Sequence, residues 1–160
     1  MKAEQKLKEL GIDLPDYDAT PFVGVSYGRM KPFHIIGNHL VLAGHVPEID
    51  GTPFNPGRLG ENLTTEQGYE AARVAGINVL AGLKQALDDL DRVASLIRTL
   101  NYVVCAPDYH DVHKVANGLT NLLYEVFGEK SGVGCRATLG IQSLSSGFCF
   151  ETLVEAEITR

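Results

Sequence analysis

The chain has no tryptophan, only two methionines and three cysteines in 160 residues. Cys105, Cys135 and Cys149 are odd in number and too widely spaced for a C-x-x-C pair, so neither a disulfide framework nor a cysteine zinc site follows from them. They are expected to pack as small buried hydrophobes. Positive charge is also scarce: 14 Lys and Arg against 20 Asp and Glu leave a net charge of -6, the wrong sign for a surface that must neutralise phosphates. Nucleic acid is not an expected partner. Apolar runs such as Leu40 to Ala43 and Tyr102 to Ala106 fall far short of the roughly 20 residues that span a bilayer. Met1 to Leu10 (MKAEQKLKEL) mixes Lys and Glu without an apolar core, which does not read as a secretory signal, so a cytoplasmic address is expected. G-x-G-x-x-G, G-x-x-x-x-G-K-[ST] and G-x-S-x-G are all missing, so no phosphate cradle or elbow nucleophile is expected.

What is present is a globular mixture, 44% hydrophobic and 21% charged, of a length suited to one domain spanning 1–160. Pro15, Pro21, Gly24, Gly28, Pro32 and Gly37 break the early chain into short pieces, predicting an irregular wrapping arm over 1–31. Gly37-Asn38, between His34-Ile35-Ile36 and a β-forming run from His39 to Val46, predicts a tight hairpin. A Gly- and Pro-rich loop from Asp50 to Gly60 follows.

Thr64 with Gln67 makes a capping box, and Ala72, Gly76, Val79, Leu83, Leu87 and Leu90 recur at helical spacing behind it. Asp88 to Asp91 ends that helix. Val93 to Cys105 is β-branched and apolar, which predicts a central strand. A second helix is expected from a cap at Asp108, with Val112, Val115, Leu119, Leu122 and Val126 buried and Gly128 at its end. Two last strands, about Cys135 to Leu144 and Phe148 to Ile158, read as a hairpin turning at Ser145-Ser146-Gly147. Hairpin, helix, strand, helix and two strands make an α+β fold, a mixed sheet with two helices packed on one face. In the last strand Phe150, Thr152, Val154, Ala156 and Ile158 alternate with Glu151, Leu153, Glu155 and Glu157, and Arg136, Thr138 and Gly140 alternate with Cys135, Ala137 and Leu139. The two strands are expected to be neighbours, sharing a polar face of one arginine and several glutamates. His39 and His45 share a strand parity, and His110 and His113 a helical face, but no metal-ligand spacing accompanies them, so no metal is expected.

Four stretches, in order, resemble the RidA (YjgF/YER057c/UK114) family, in particular its longer branch. Gly37 to Pro47 (GNHLVLAGHVP) is similar to the family's G-N-hydrophobic-S-G-x-x-P hairpin, and Asn78 to Arg92 to its N-x-L…D-L-D-R-V region. Val115 to Gly128 (VANGLTNLLYEVFG) resembles the N-G…L-x-E-V-F-G helix, and Arg136-Ala137-Thr138-Leu139-Gly140 with Val154-Glu155-Ala156-Glu157 resembles the A-R-S-x-V-G and V-E-V-E strands. The resemblance implies a chorismate-mutase-like fold and a homotrimer with ligand clefts between subunits. It also implies a cofactor-free deaminase that hydrolyses 2-imino acids, reactive enamine/imine intermediates, to 2-oxo acids and ammonia. Arg136 matches the arginine that holds a substrate carboxylate, and Glu155 the acid that handles the attacking water.

Phe33, Ala43, Gly44, Cys135 and Thr138 match the positions that line the cleft. Several depart from the family pattern. Phe33 stands for a tyrosine and loses its hydroxyl unless Tyr27 or His34 substitutes, Ala43 stands for a serine, Cys135 precedes the arginine where alanine is usual, and Thr138 stands where Cys or Ala is common. The family's helical asparagine corresponds to Asn117 or Asn121. A non-catalytic trimeric protein that binds small carboxylates is the alternative.

Overall fold

The computed structural model describes residues 2–20 and 28–159. Pro21, Gly24 and Tyr27 lie outside the described residues. A helix α1 (Lys2–Glu9) opens the chain, where an irregular arm was expected. Eight residues rich in Lys and Glu are too few to hold a helix alone. This one is held from outside: the Asp91 carboxylate accepts the N–H groups of Lys2 at 2.6 Å and Ala3 at 2.9 Å, Lys84 pairs with Glu4, and Ala3 and Leu7 are buried.

Strands β1 (Phe33–Ile36) and β2 (His39–Leu42) form the expected hairpin, with Gly37 at φ 62° in its turn. The β2 ladder ends at Leu42 rather than Val46; beyond it only His45 bridges to Thr152. The following loop carries a small hairpin of its own, β3 (Glu48–Ile49) with β4 (Thr52–Pro53). Helix α2 (Thr65–Leu87) begins at the Thr64/Gln67 capping box and ends at Asp88, which takes a left-handed conformation. Its whole expected stripe is buried, Leu90 following in a short 3-10 turn.

Strand β5 (Val93–Val104) is central as expected. Helix α3 (Val112–Gly132) starts after Asp111, not Asp108, because a turn closed from Tyr109 N–H to the Ala106 carbonyl still occupies that stretch. His110 therefore precedes the helix and shares no helical face with His113. Gly128, at φ 74°, breaks the helical geometry near its end.

Strands β6 (Cys135–Ile141) and β7 (Phe150–Ile158) are not a hairpin. The sheet order is β1-β2-β7-β5-β6, so β5 lies between them, antiparallel to β7 and parallel to β6. The two expected helices, α2 and α3, pack on one face of the mixed sheet, and among the described residues α1 is a third. The core between includes Leu40, Leu80, Leu83, Leu119, Leu122 and Phe150, each fully buried. Each such side chain stabilises the fold by about 1.5–3 kcal/mol.

Among the described residues nothing covers the opposite face of the sheet. Val41, Leu153 and Leu139 are exposed on it, and Arg98, Glu155 and His39 stand among them. Among the described residues no helix is long and apolar enough to cross a membrane.

Candidate active site

Register decides which side chains can meet. Arg136 pairs with Thr99, and Thr99 with Val154, so Arg136 lies on the helix-covered face. Glu155 pairs with Arg98 and Val41, and Arg98 with Cys135, so those four share the open face. The expected single face bearing Arg136 and the glutamates does not exist, because β6 turns its apolar parity, Cys135, Ala137 and Leu139, to the open face and its polar parity to the helices, the reverse of β7.

On the helix side Arg136 reaches α3. Its Nη1 donates to Asn117 Oδ1 at 2.8 Å and to Thr120 Oγ1 at 3.1 Å, while the residue as a whole stays exposed on the edge strand. Helix α3 itself is seated tightly against α2, where Gly118 has no side chain: a Cβ there would overlap the Tyr69 carbonyl. Asn121 turns elsewhere and donates to Tyr69 Oη at 3.1 Å. Between the two asparagines the sequence left open, geometry thus gives the arginine to Asn117.

Thr138 follows on the same face as Arg136, and its Oγ1 accepts from Asn101 Nδ2 at 3.4 Å. Asn101 in turn accepts from Thr152 Oγ1 at 2.8 Å, a buried polar row that crosses three strands. Beyond Thr138, Gly140 borders a cavity of about 600 Å³ lined also by Arg58, Cys105, Tyr109 and Gln142.

On the open face Glu155 is engaged. Arg98 and His39 both bond its carboxylate, His39 at 2.9 Å. Burial works against the charge, but those hydrogen bonds and neighbouring charges outweigh it and hold the Glu155 carboxyl below the usual range. Arg98, not Arg136, is the arginine that faces the glutamates.

Glu151, two turns of the pleat earlier, differs. It is half-buried, opposite Tyr102, and among the described residues nothing hydrogen-bonds its carboxylate. Burial pushes its carboxyl up. Gly44 makes room for it, since a Cβ on Gly44 would collide with the Glu151 carboxylate. A sequence reading that followed the V-E-A-E motif missed Glu151; the signal available was its place on the same alternating face beside Phe150.

The remaining expected residues scatter. Phe33 packs partly against the core opposite Leu42, Ala43 donates its N–H to the Pro32 carbonyl and accepts from His45 Nδ1, and His34 is exposed, 3.5 Å from Lys31. Cys135 is exposed rather than buried; Cys105 is half-buried and Cys149 buried, its thiol pushed up to about 11 by burial. Within one chain, then, two groups of residues form: Arg136, Thr138, Asn117 and Thr120 on the helix side, and Gly44 and Glu151 on the open side.

Residues 4–149 match the family model described as "YjgF/chorismate mutase-like, putative endoribonuclease". The chain belongs to the YjgF/RidA family. Protein TCP17 of Trypanosoma cruzi is 34% identical over 145 residues, covering 91% of this chain and 87% of that protein. The structure of Agrobacterium tumefaciens Atu1372 is 32% identical with a TM-score of 0.85, covering 99% and 94% of the two chains. RidA from an Antarctic Psychrobacter has the same fold, with a TM-score of 0.57 at 16% identity over 85% of this chain and 92% of that one. The YjgF/RidA fold is chorismate-mutase-like, which agrees with the α+β arrangement above.

Proposed function

We propose that this YjgF/RidA chain is a cofactor-free imine deaminase, converting 2-imino acids and water to 2-oxo acids and ammonia at clefts between the subunits of a homotrimer. The observation that carries it is Glu151, a half-buried carboxylate to which no described residue donates a hydrogen bond and whose proton affinity burial has raised. Such a group can take a proton from water as the oxygen bonds to C2 of the imine and pass it to nitrogen, giving the carbinolamine, then take the hydroxyl proton and pass it to nitrogen as the C=O bond forms and the C–N bond breaks to release ammonia. This role passes from Glu155, which the ion pairs with Arg98 and His39 occupy, to Glu151.

Arg136 anchors the substrate carboxylate, and Thr138 beside it offers a hydroxyl. The cavity at Gly140 leaves space along the same strand for the rest of the molecule. Because Arg136 and Glu151 stand on opposite faces, one chain supplies the anchor and its neighbour supplies the acid and Gly44. The exposed Val41, Leu153 and Leu139 support subunit association, as an apolar patch left on an open sheet face marks an interaction surface.

The alternative, a trimeric binding protein without turnover, is favoured by one observation: Phe33 brings no hydroxyl and packs against the core. The experiment is to generate imino acids from several amino acids with an amino-acid oxidase and to follow ammonia release. Acceleration by this protein supports the deaminase; tight binding of 2-oxo acids without acceleration supports the binding protein. The net charge of -6 argues against RNA as a substrate.

A further inference from the structure

We infer that Thr120 is a positioning residue, one that aims the Arg136 guanidinium so that a planar carboxylate can dock on one particular edge; this rests on the anchoring role proposed above for Arg136. The argument is a count of hydrogens. Nη1 carries two, and the two acceptors on α3, Asn117 Oδ1 at 2.8 Å and Thr120 Oγ1 at 3.1 Å, take one each. Thr120 is itself fixed, because its hydroxyl donates back to the Ala116 carbonyl at 3.4 Å, which leaves the oxygen's lone pairs for the arginine.

With Nη1 consumed, the remaining donors are those of Nε and Nη2, and no described residue accepts from either. They form a parallel pair along one edge of the plane, the geometry that a carboxylate meets with both oxygens. The side chain is exposed, so this edge is open to a ligand. A single acceptor on Nη1 would leave the plane free to swing about the Nη1 contact; two acceptors one helical turn apart, at 117 and 120, hold it. The ligand chemistry selected is a flat monocarboxylate bound side-on. A neutral amide fits the same space but would oppose its own N–H donors to those of the arginine.

The test compares wild type with Thr120→Val, Thr120→Ala, Thr120→Ser and Arg136→Ala, with pyruvate and pyruvamide as probes in calorimetric titrations and imine hydrolysis as a kinetic readout. Thr120→Val is expected to weaken pyruvate binding roughly five- to tenfold, as loss of one hydrogen bond allows, to raise KM by a similar factor and to leave kcat within twofold. Thr120→Ala should behave likewise and Thr120→Ser should restore wild-type values. Pyruvamide, already weak, should not respond to any of the three, whereas general damage to the fold would weaken both probes and lower kcat. Unchanged pyruvate affinity in Thr120→Val and Thr120→Ala, with affinity lost in Arg136→Ala, would overturn the positioning role alone. Unchanged affinity in Arg136→Ala would overturn the anchor itself.

Discussion

Arg136 and Glu151 stand on opposite faces of the same sheet. Arg136 lies in the row Arg136, Thr99, Val154 beneath α3, and Glu151 pairs with Tyr102 on the uncovered side. A small molecule held by the first cannot reach the second of the same chain. If both act on one substrate, they come from two chains, which makes assembly a condition of catalysis rather than an accessory to it.

The two glutamates predict different mutants. Glu151→Gln should lower kcat by about a hundredfold or more, the scale of a lost general base, whereas Glu155→Gln should lower it little and mainly loosen the contacts with Arg98 and His39. Because burial raises the Glu151 pKa, the acid limb of the kcat/KM profile, which reports the free protein, should be displaced upward from that of an ordinary carboxylate. Steady-state rates across pH check this.

Stability should move the other way at Glu151. An acid whose pKa is raised in the folded state favours folding when protonated and opposes it once ionised, so its cost is present above the raised value. Glu151→Gln is therefore expected to raise Tm at pH 7 and to change it little at pH 3. Calorimetric scans at the two values measure it.

Gly44 is a matching-gap position. Gly44→Ala would drive its Cβ into the Glu151 carboxylate, so the expected result is a large loss of activity. Restoration of part of it by shortening the acid, in Gly44→Ala with Glu151→Asp, is the diagnostic comparison.

Burial lowers the His45 imidazole to about 4, although its hydrogen bond to the Ala43 carbonyl opposes the shift. A base depressed on folding stabilises fully above its unfolded value of about 6.5, and that contribution is lost as pH falls from there toward 4. Tm of the wild type should fall across this window. His45→Gln, lower in stability throughout, should lose that slope.

Local signals carried much of the fold. The capping box at Thr64, the helical stripe through Leu87 and the Gly37-Asn38 turn are short-range features, and each stands where the sequence placed it. Strand order is long-range, and alternation along β6 and β7 cannot say that β5 lies between them; nor can it say that β6 turns its apolar residues to the open face, which is what separates Arg136 from Glu155. Helix α1 was illegible for a similar reason, since Asp91, far along the chain, supplies its cap. At the site, the anchor on β6 and the neighbouring Thr138 could be read from residue type and motif. Glu151 could not be separated from Glu155 without knowing that Arg98 and His39 take the latter, and Thr120 falls at an unspecified position inside the Val115 to Gly128 motif.

The most direct test co-expresses Arg136→Ala and Glu151→Gln chains under different tags, purifies the mixed assemblies and measures imine hydrolysis. Each variant alone should be inactive. In a cyclic homotrimer of either mixed composition, one cleft of the three joins an intact Arg136 to an intact Glu151, so the purified mixed assemblies should regain about a third of wild-type activity. A mixture as inactive as its parts, though assembled, would contradict a site built from two chains.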